Sequence, residues 1–551
     1  MKEIKENIKF LYPNRKEVIL SEIDKIVNHY RKVIPKGNFE LKEDDIVLIA
    51  YADSFKDEKE KGLETLNKVC SKYLKGSINS VHILPFYPFT SDDGFSVVDY
   101  KEVNPEFGDW IDVGDLSQSF YLMFDAVINH ISKSSDWFQG YLRENPKFEN
   151  FFIEEDPNNP ELHKVVRPRT LPLLHKYNKN WKDAFVWTTF SEDQVDLNYK
   201  NPEVFLRVLD VLFFYISQGA KLIRLDAIAF MWKTLGTDCI HLEETHRIIQ
   251  TYRKIIDLVA PQTVIISETN VPHAENISYF GDGFNEAHMV YNFSLPPLLA
   301  YSLHKENIDV LTKWANSLQL PSEKTCFFNF TASHDGIGVR PLQGIIEGDE
   351  INDLAQKAEE HGGFVSYKSN PDGSKSPYEL NCNYMDLLTN PKESDEIRMQ
   401  RFMLTQSAML CMPGVPGVYY HSVFGSGNDV KGAIESGINR RINRQKLYYS
   451  ELKERLEDSE SLSAKIFDCY SKLLKIRSAE KAFNPMGKAN FSNVDGVFII
   501  ERTWGDDTLY CLHNFSGEEK NAGEVTAGRT DVISGNKSNT ILKAYEFRWL
   551  K

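Results

Sequence analysis

Ala220-Lys221-Leu222-Ile223-Arg224-Leu225-Asp226 is an apolar run that ends in a carboxylate, with an arginine two positions before it. Residues i and i+2 of a strand share a face, so the guanidinium and the carboxylate point the same way. A second run, Thr263-Val264-Ile265-Ile266-Ser267, ends in Glu268, and a third, Cys326-Phe327-Phe328-Asn329-Phe330, leads to His334-Asp335. A parallel barrel is the architecture that converges acids from the C-terminal ends of separate strands on one catalytic face. The fold class expected from this stretch is therefore α/β, a (β/α)8 TIM barrel.

The rest of the chain fits that expectation. Apolar runs at 46–50, 81–85, 121–127, 221–225, 263–266, 289–293, 326–330 and 415–419 read as eight short buried strands. Helical patterns lie between them, such as 202–218 closed by Gly219 and 243–259 closed by Ala260-Pro261. Two connections are too long for ordinary loops and read as inserted lobes, 131–198 after the third strand and 336–400 after the seventh. The barrel then occupies 46–130, 199–335 and 401–481, behind an amphipathic helical extension at 1–45. Beyond it, 482–551 carries alternating strand patterns and reads as a C-terminal antiparallel β domain.

Composition narrows the function. The 551 residues are 42% hydrophobic, enough for a large core. Lys+Arg 64 against Asp+Glu 79 gives a net charge of −15, which repels polyanions and argues against nucleic acid as a partner. The 7 cysteines are scattered singly, without zinc or redox spacing, and read as buried reduced thiols. The opening Met1-Lys2-Glu3-Ile4-Lys5 leads into no long apolar stretch, so neither a secretory signal nor a membrane span is expected, and the expected address is cytoplasmic. The oligomeric state stays open, a dimer included.

Paired carboxylates at a barrel mouth suit glycoside chemistry. In a retaining enzyme one carboxylate attacks the anomeric carbon and a second acid, about 5–5.5 Å away, protonates the leaving oxygen. Asp226 and Glu268 fit these roles, with Arg224 pairing the ionised nucleophile. Asp335 is the third acid, positioned to bind sugar hydroxyls more strongly as the ring flattens toward an oxocarbenium ion. A lone acid more often caps a turn or pairs with a surface cation; three at three strand ends point to a site.

Four ordered segments carry a family resemblance: Asp125-Ala126-Val127-Ile128-Asn129-His130, 219–227 around Asp226, Glu268-Thr269-Asn270, and Ala332-Ser333-His334-Asp335. They resemble the signature regions of the α-amylase family, glycoside hydrolase family 13. The resemblance implies Asp226 as nucleophile, Glu268 as acid/base and Asp335 as transition-state stabiliser, with Arg224, His130 and His334 holding glucose and nucleophile. Asp92-Asp93-Gly94-Phe95, Arg167-Pro168-Arg169, Asp335-Gly336-Ile337-Gly338-Val339 and Ile442-Asn443-Arg444 look most like the sucrose phosphorylase subfamily. That implies Asp92 on the glucosyl hydroxyls and Phe95 stacked on the sugar face.

A phosphorylase resolves its glucosyl-enzyme with inorganic phosphate, so its acceptor side needs cations, preferably guanidinium forks. Arg169 and Arg440 match the subfamily's phosphate-side cations. The departures from sucrose phosphorylase proper gather at the acceptor: Arg340-Pro341-Leu342, Tyr378-Glu379 with Glu379 where a glutamine is usual, and 420–426. Arg340, Tyr378 and Glu379 look more like the members of the subfamily that act on 2-O-α-glucosylglycerate, whose acceptor carries a carboxylate. Glu379 would repel that carboxylate unless an arginine neutralises it, so sucrose and glucosylglycerol stay open as substrates. The expected partners are a small α-glucoside and phosphate as co-substrate, with no metal, organic cofactor, nucleic acid or membrane. A hydrolase or transglucosylase with the same acids is the nearest rival. A sugar-binding protein with an inactive barrel is disfavoured by the complete set of acids.

Overall fold

The computed structural model describes residues 1–168, 171–369 and 374–551. Its centre is a closed barrel of eight strands: β1 Val47–Ala50, β2 Ser80–Ile83, β3 Tyr121–Ala126, β4 Ala220–Leu225, β5 Val264–Ser267, β6 Met289–Tyr291, β7 Cys326–Asn329 and β8 Val415–Tyr419. Around the barrel each strand neighbours the next in sequence, and β8 closes on β1 in parallel register. β1, β2, β5, β7 and β8 are buried at every position. Burial on both faces is why they read as continuous apolar runs rather than as alternation.

β2 and β6 each stop two residues before their apolar runs do. Leu84 and Phe293 stay buried after the chain has left the ladder. Hydrophobicity reports burial and not hydrogen bonding, so it overshoots where a strand runs into a buried loop.

The helix Pro202–Ser217 shows how the strand–helix repeat is punctuated. Asn201 Oδ1 accepts from the Glu203 N–H at 3.1 Å, and Pro202 occupies the first helical position. Gly219 then takes φ +103°, which glycine adopts readily, and turns the chain into β4. On β8, a Cβ at Gly417 would lie 2.4 Å from the Phe328 ring of β7, so only glycine fits between those strands.

The chain packs as two compact units. One consists of Met1–Glu40, Ile83–Thr269 and Glu275–Val290; the other of Leu41–His82, Asn270–Ala274 and Tyr291–Lys551. In the first, helices Lys2–Leu11 and Lys16–Tyr30 pack on helix Glu243–Val259, and the stretch after β3 contains the hairpin Leu174–Lys179 with Lys182–Trp187. In the second, a three-stranded antiparallel sheet follows β7, with Lys375–Asn381 between Ile337–Gly338 and Phe364–Ser369. Near the C-terminus β9 Lys488–Val494, β10 Val497–Trp504, β11 Asp507–Asn514 and β12 Phe547–Leu550 form an antiparallel sheet over Val497, Ile499, Leu512 and Leu542. All seven cysteines are free thiols, six of them buried. Among the described residues no helix is long and apolar enough to cross a membrane.

Candidate active site

In the first unit the site is built around Arg224. It is 1% exposed and stands opposite Asp125 across the β3–β4 ladder and opposite Ile266 on β5. Its Nη1 donates to Asp125 and, at 2.8 Å, to Asp226 Oδ1, while Nη2 lies 3.8 Å from Glu268 Oε2. The i, i+2 geometry expected from the sequence is thus realised as a direct ion pair. Asp226 and Glu268 each follow the last residue of their strand, β4 and β5. Ala227 takes φ +50°, a strained conformation for alanine, and its N–H donates to Glu268 Oε2 at 3.1 Å. The turn after Asp226 therefore holds the second acid by a backbone donor.

The glucose-binding candidates of this unit are tied together. The Phe95 ring lies 5.6 Å from the Arg224 guanidinium. His130 Nε2–H donates to the Phe95 carbonyl at 2.9 Å, and its Nδ1 accepts from the Asn129 amide at 3.3 Å. Burial holds the His130 imidazole below the usual histidine range, so it stays neutral at pH 7. Asp92 belongs to the short 3-10 turn Asp92–Gly94 and adopts φ +51°.

Gln194 was not singled out from the sequence. Its Nε2 donates to the Phe95 carbonyl at 3.1 Å and to Asp92 Oδ2 at 3.4 Å, so one amide links both candidates. A single glutamine at the start of the short strand Gln194–Asp196 carries no signal that could have flagged it. Beneath them lies a buried network that the sequence also hid. Lys233 Nζ is 2.6 Å from Asp196 Oδ2 and donates to Asn129 Oδ1 at 3.1 Å; Asp196 also accepts from the Thr189 N–H and Oγ1 at 2.7 and 2.6 Å.

In the second unit Arg440 is the centre. Its Nη1 stands 2.6 Å from Asp335 Oδ1, and Nη2 and Nε donate to Glu379 Oε1 and Oε2 at 2.8 and 3.2 Å. Glu379 is 4% exposed, sits in the middle strand of the three-stranded sheet opposite Gly338, and also accepts from the Gly336 N–H at 3.0 Å. The neutralising arginine that Glu379 required is Arg440. Arg444, fully buried, donates from Nε to the His334 carbonyl at 2.7 Å and brings Nη2 to 3.9 Å from Asp335. His334 Nε2 is 3.5 Å from Asp335 Oδ2. Tyr378 lies beside Glu379, its carbonyl accepting from the Val339 N–H at 3.1 Å, and Arg340 opens the next turn.

Arg169 lies outside the described residues. Arg167, its neighbour in the same motif, is exposed and donates to the Leu171 carbonyl at 3.1 Å. Among the described residues no cluster of three or more His, Cys, Asp or Glu side chains is arranged to hold a metal ion.

Residues 49–337 match the family model for the α-amylase catalytic domain. The glucosylglycerate phosphorylase of Allomeiothermus silvanus is 45% identical over 549 residues, covering 99% of this chain and 98% of that protein. The glucosylglycerate phosphorylase of Escherichia coli is 46% identical over 520 residues, 92% of each. Among solved structures, sucrose 6F-phosphate phosphorylase from Thermoanaerobacter thermosaccharolyticum superposes with a TM-score of 0.76 at 24% identity, over 87% of this chain and 95% of that one. The chain belongs to the α-amylase family, glycoside hydrolase family 13, and groups within it with the glucosylglycerate phosphorylases it resembles over nearly its full length.

Proposed function

We propose that the protein is a retaining α-glucoside phosphorylase that converts 2-O-α-glucosylglycerate and inorganic phosphate, reversibly, to α-glucose 1-phosphate and glycerate. The observation that carries this reading is the near full-length likeness to relatives that bear the name glucosylglycerate phosphorylase. The pairing of Arg440 with Glu379 supports it, because it removes the charge objection to an acceptor with a carboxylate.

The Asp226 carboxylate attacks the anomeric carbon as Glu268 gives its proton to the departing glycerate oxygen, leaving a covalent β-glucosyl ester. A phosphate oxygen then attacks the same carbon from the face the glycerate left. Glu268, now a carboxylate, takes the phosphate proton, and Asp226 is released as α-glucose 1-phosphate forms. Asp335 strengthens its hold on the sugar as positive charge develops on the ring.

Arg224 pairs with the nucleophile's charge before attack and after release. Asp92, Phe95, His130 and His334 bind the glucosyl unit. Arg169 and Arg440 take the phosphate, and Arg340, Tyr378 and Glu379 face the acceptor. Phosphate is a co-substrate; the double displacement needs no metal or organic cofactor. A phosphorylase of an internal metabolite fits a cytoplasmic address.

The reading is tested by offering the protein 2-O-α-glucosylglycerate, glucosylglycerol, sucrose and sucrose 6′-phosphate, each with and without phosphate. Phosphate-dependent release of α-glucose 1-phosphate from glucosylglycerate is expected. Preference for another member of the panel would reassign the acceptor.

A further inference from the structure

We infer that Arg340 and Lys368 together form an anion site that holds the carboxylate of the acceptor, and that this pair sets the preference for an acidic glucoside over a neutral one. The inference rests on the phosphorylase reading above and adds Lys368, a residue that no sequence motif marked.

Both cations flank one strand. Ile337 and Gly338 pair with Leu380 and Glu379, and the Val339 N–H continues that edge to the Tyr378 carbonyl, which places Arg340 at its end. On the opposite edge Lys368 pairs with Ser376. The strand between them, Lys375–Asn381, carries Tyr378 and Glu379. Burial, and after it the charge of the Arg340 guanidinium, holds the Lys368 ammonium below the usual lysine range.

Two like charges brought together need an anion to offset their repulsion. Among the described residues, neither is paired with a carboxylate, and Arg340 Nε is buried without a hydrogen-bond partner. Glu379, on the strand between them, does not fill the gap. Both of its oxygens already accept from Arg440, one of them also from Gly336. A guanidinium beside an ammonium matches a carboxylate, the first by a planar fork and the second as a point charge. The acceptor's carboxylate and inorganic phosphate are the two anions the reaction supplies, and phosphate already has Arg440 beside Asp335.

The test compares wild type with Arg340→Gln, Lys368→Gln and the double variant, each first checked for an unchanged far-ultraviolet spectrum. The readouts are the kcat/KM ratio of glucosylglycerate to glucosylglycerol and the KM for phosphate. Loss of a charge-assisted contact made only by the acidic acceptor should lower the ratio by about tenfold or more in each single variant. A ratio that does not move overturns the inference. A raised KM for phosphate at constant ratio also overturns it and assigns the pair to phosphate. Calorimetric binding of D-glycerate reads the pair without turnover. Wild-type protein that binds glycerate through these residues yet releases no glucose 1-phosphate would break the phosphorylase reading and keep the inference.

Discussion

Arg224 and Arg440 each join several carboxylates, yet they are held in opposite ways. Arg224 is locked into a barrel strand, its side chain 2% exposed, with Asp125 fixed beside it by ladder register and Asp226 by strand periodicity. Arg440 sits in the 3-10 turn Asn439–Asn443, its side chain 23% exposed, and reaches Glu379 on a strand 61 residues away. The first arrangement suits a group whose partners stay constant through the reaction, since moving a charge there means breaking the barrel. The second suits a group that exchanges a protein carboxylate for an incoming anion, because a half-buried ion pair on a turn is held by less.

The contrast is tested first at the rigid end. Asp226→Ala removes the proposed nucleophile, and release of glucose 1-phosphate should fall roughly ten-thousand-fold or more. A variant that keeps turnover within tenfold of wild type would remove Asp226 from its role. Lys233→Met keeps the bulk but takes the cation from Asp196, a fully buried carboxylate opposite His130. Losing one partner of a buried pair costs about 3–5 kcal/mol, which denaturant unfolding would register as a lower midpoint. An unchanged midpoint would show that the network is not needed to support the glucose side.

At the other end of the comparison, Arg440→Ala should lower phosphate-dependent turnover by about tenfold to a hundredfold more than it lowers hydrolysis of the same glucoside. Equal losses would make Arg440 a support for Asp335 and not a phosphate ligand. The smallest effect is on stability against pH. Burial pushes His304 down to about 4 and His421 down to about 3. Their folded values lie below the unfolded value of about 6.5, so the unfolded chain binds more protons as the pH falls. Their stability contribution is complete above about pH 6.5 and is lost as the pH drops toward 4. A melting temperature that stays flat from pH 7.5 to 5 would contradict this.

What the sequence exposed and what it hid follow the same division. The barrel was legible because strands buried on both faces have no polar alternation to blur them, and because Asp226 and Glu268 directly follow apolar runs. Arg224 with Asp226 was legible because i, i+2 neighbours share a strand face whatever the tertiary fold. Arg440 with Glu379, Lys233 with Asp196, and Gln194 with Asp92 were not, because each joins segments that only the folded chain brings together. Ala227 with φ +50° left no trace either: alanine carries a Cβ and gives no sign of a left-handed turn, and the conformation goes with the turn that holds Glu268. Residue type announced the acids and arginines; which acid each arginine serves is a property of the fold.

The most direct measurement is the release of α-glucose 1-phosphate from 2-O-α-glucosylglycerate with and without inorganic phosphate. The account predicts release that requires phosphate and yields glycerate in equal amount. Glucose appearing at the same rate whether or not phosphate is present would contradict it and make the protein a hydrolase.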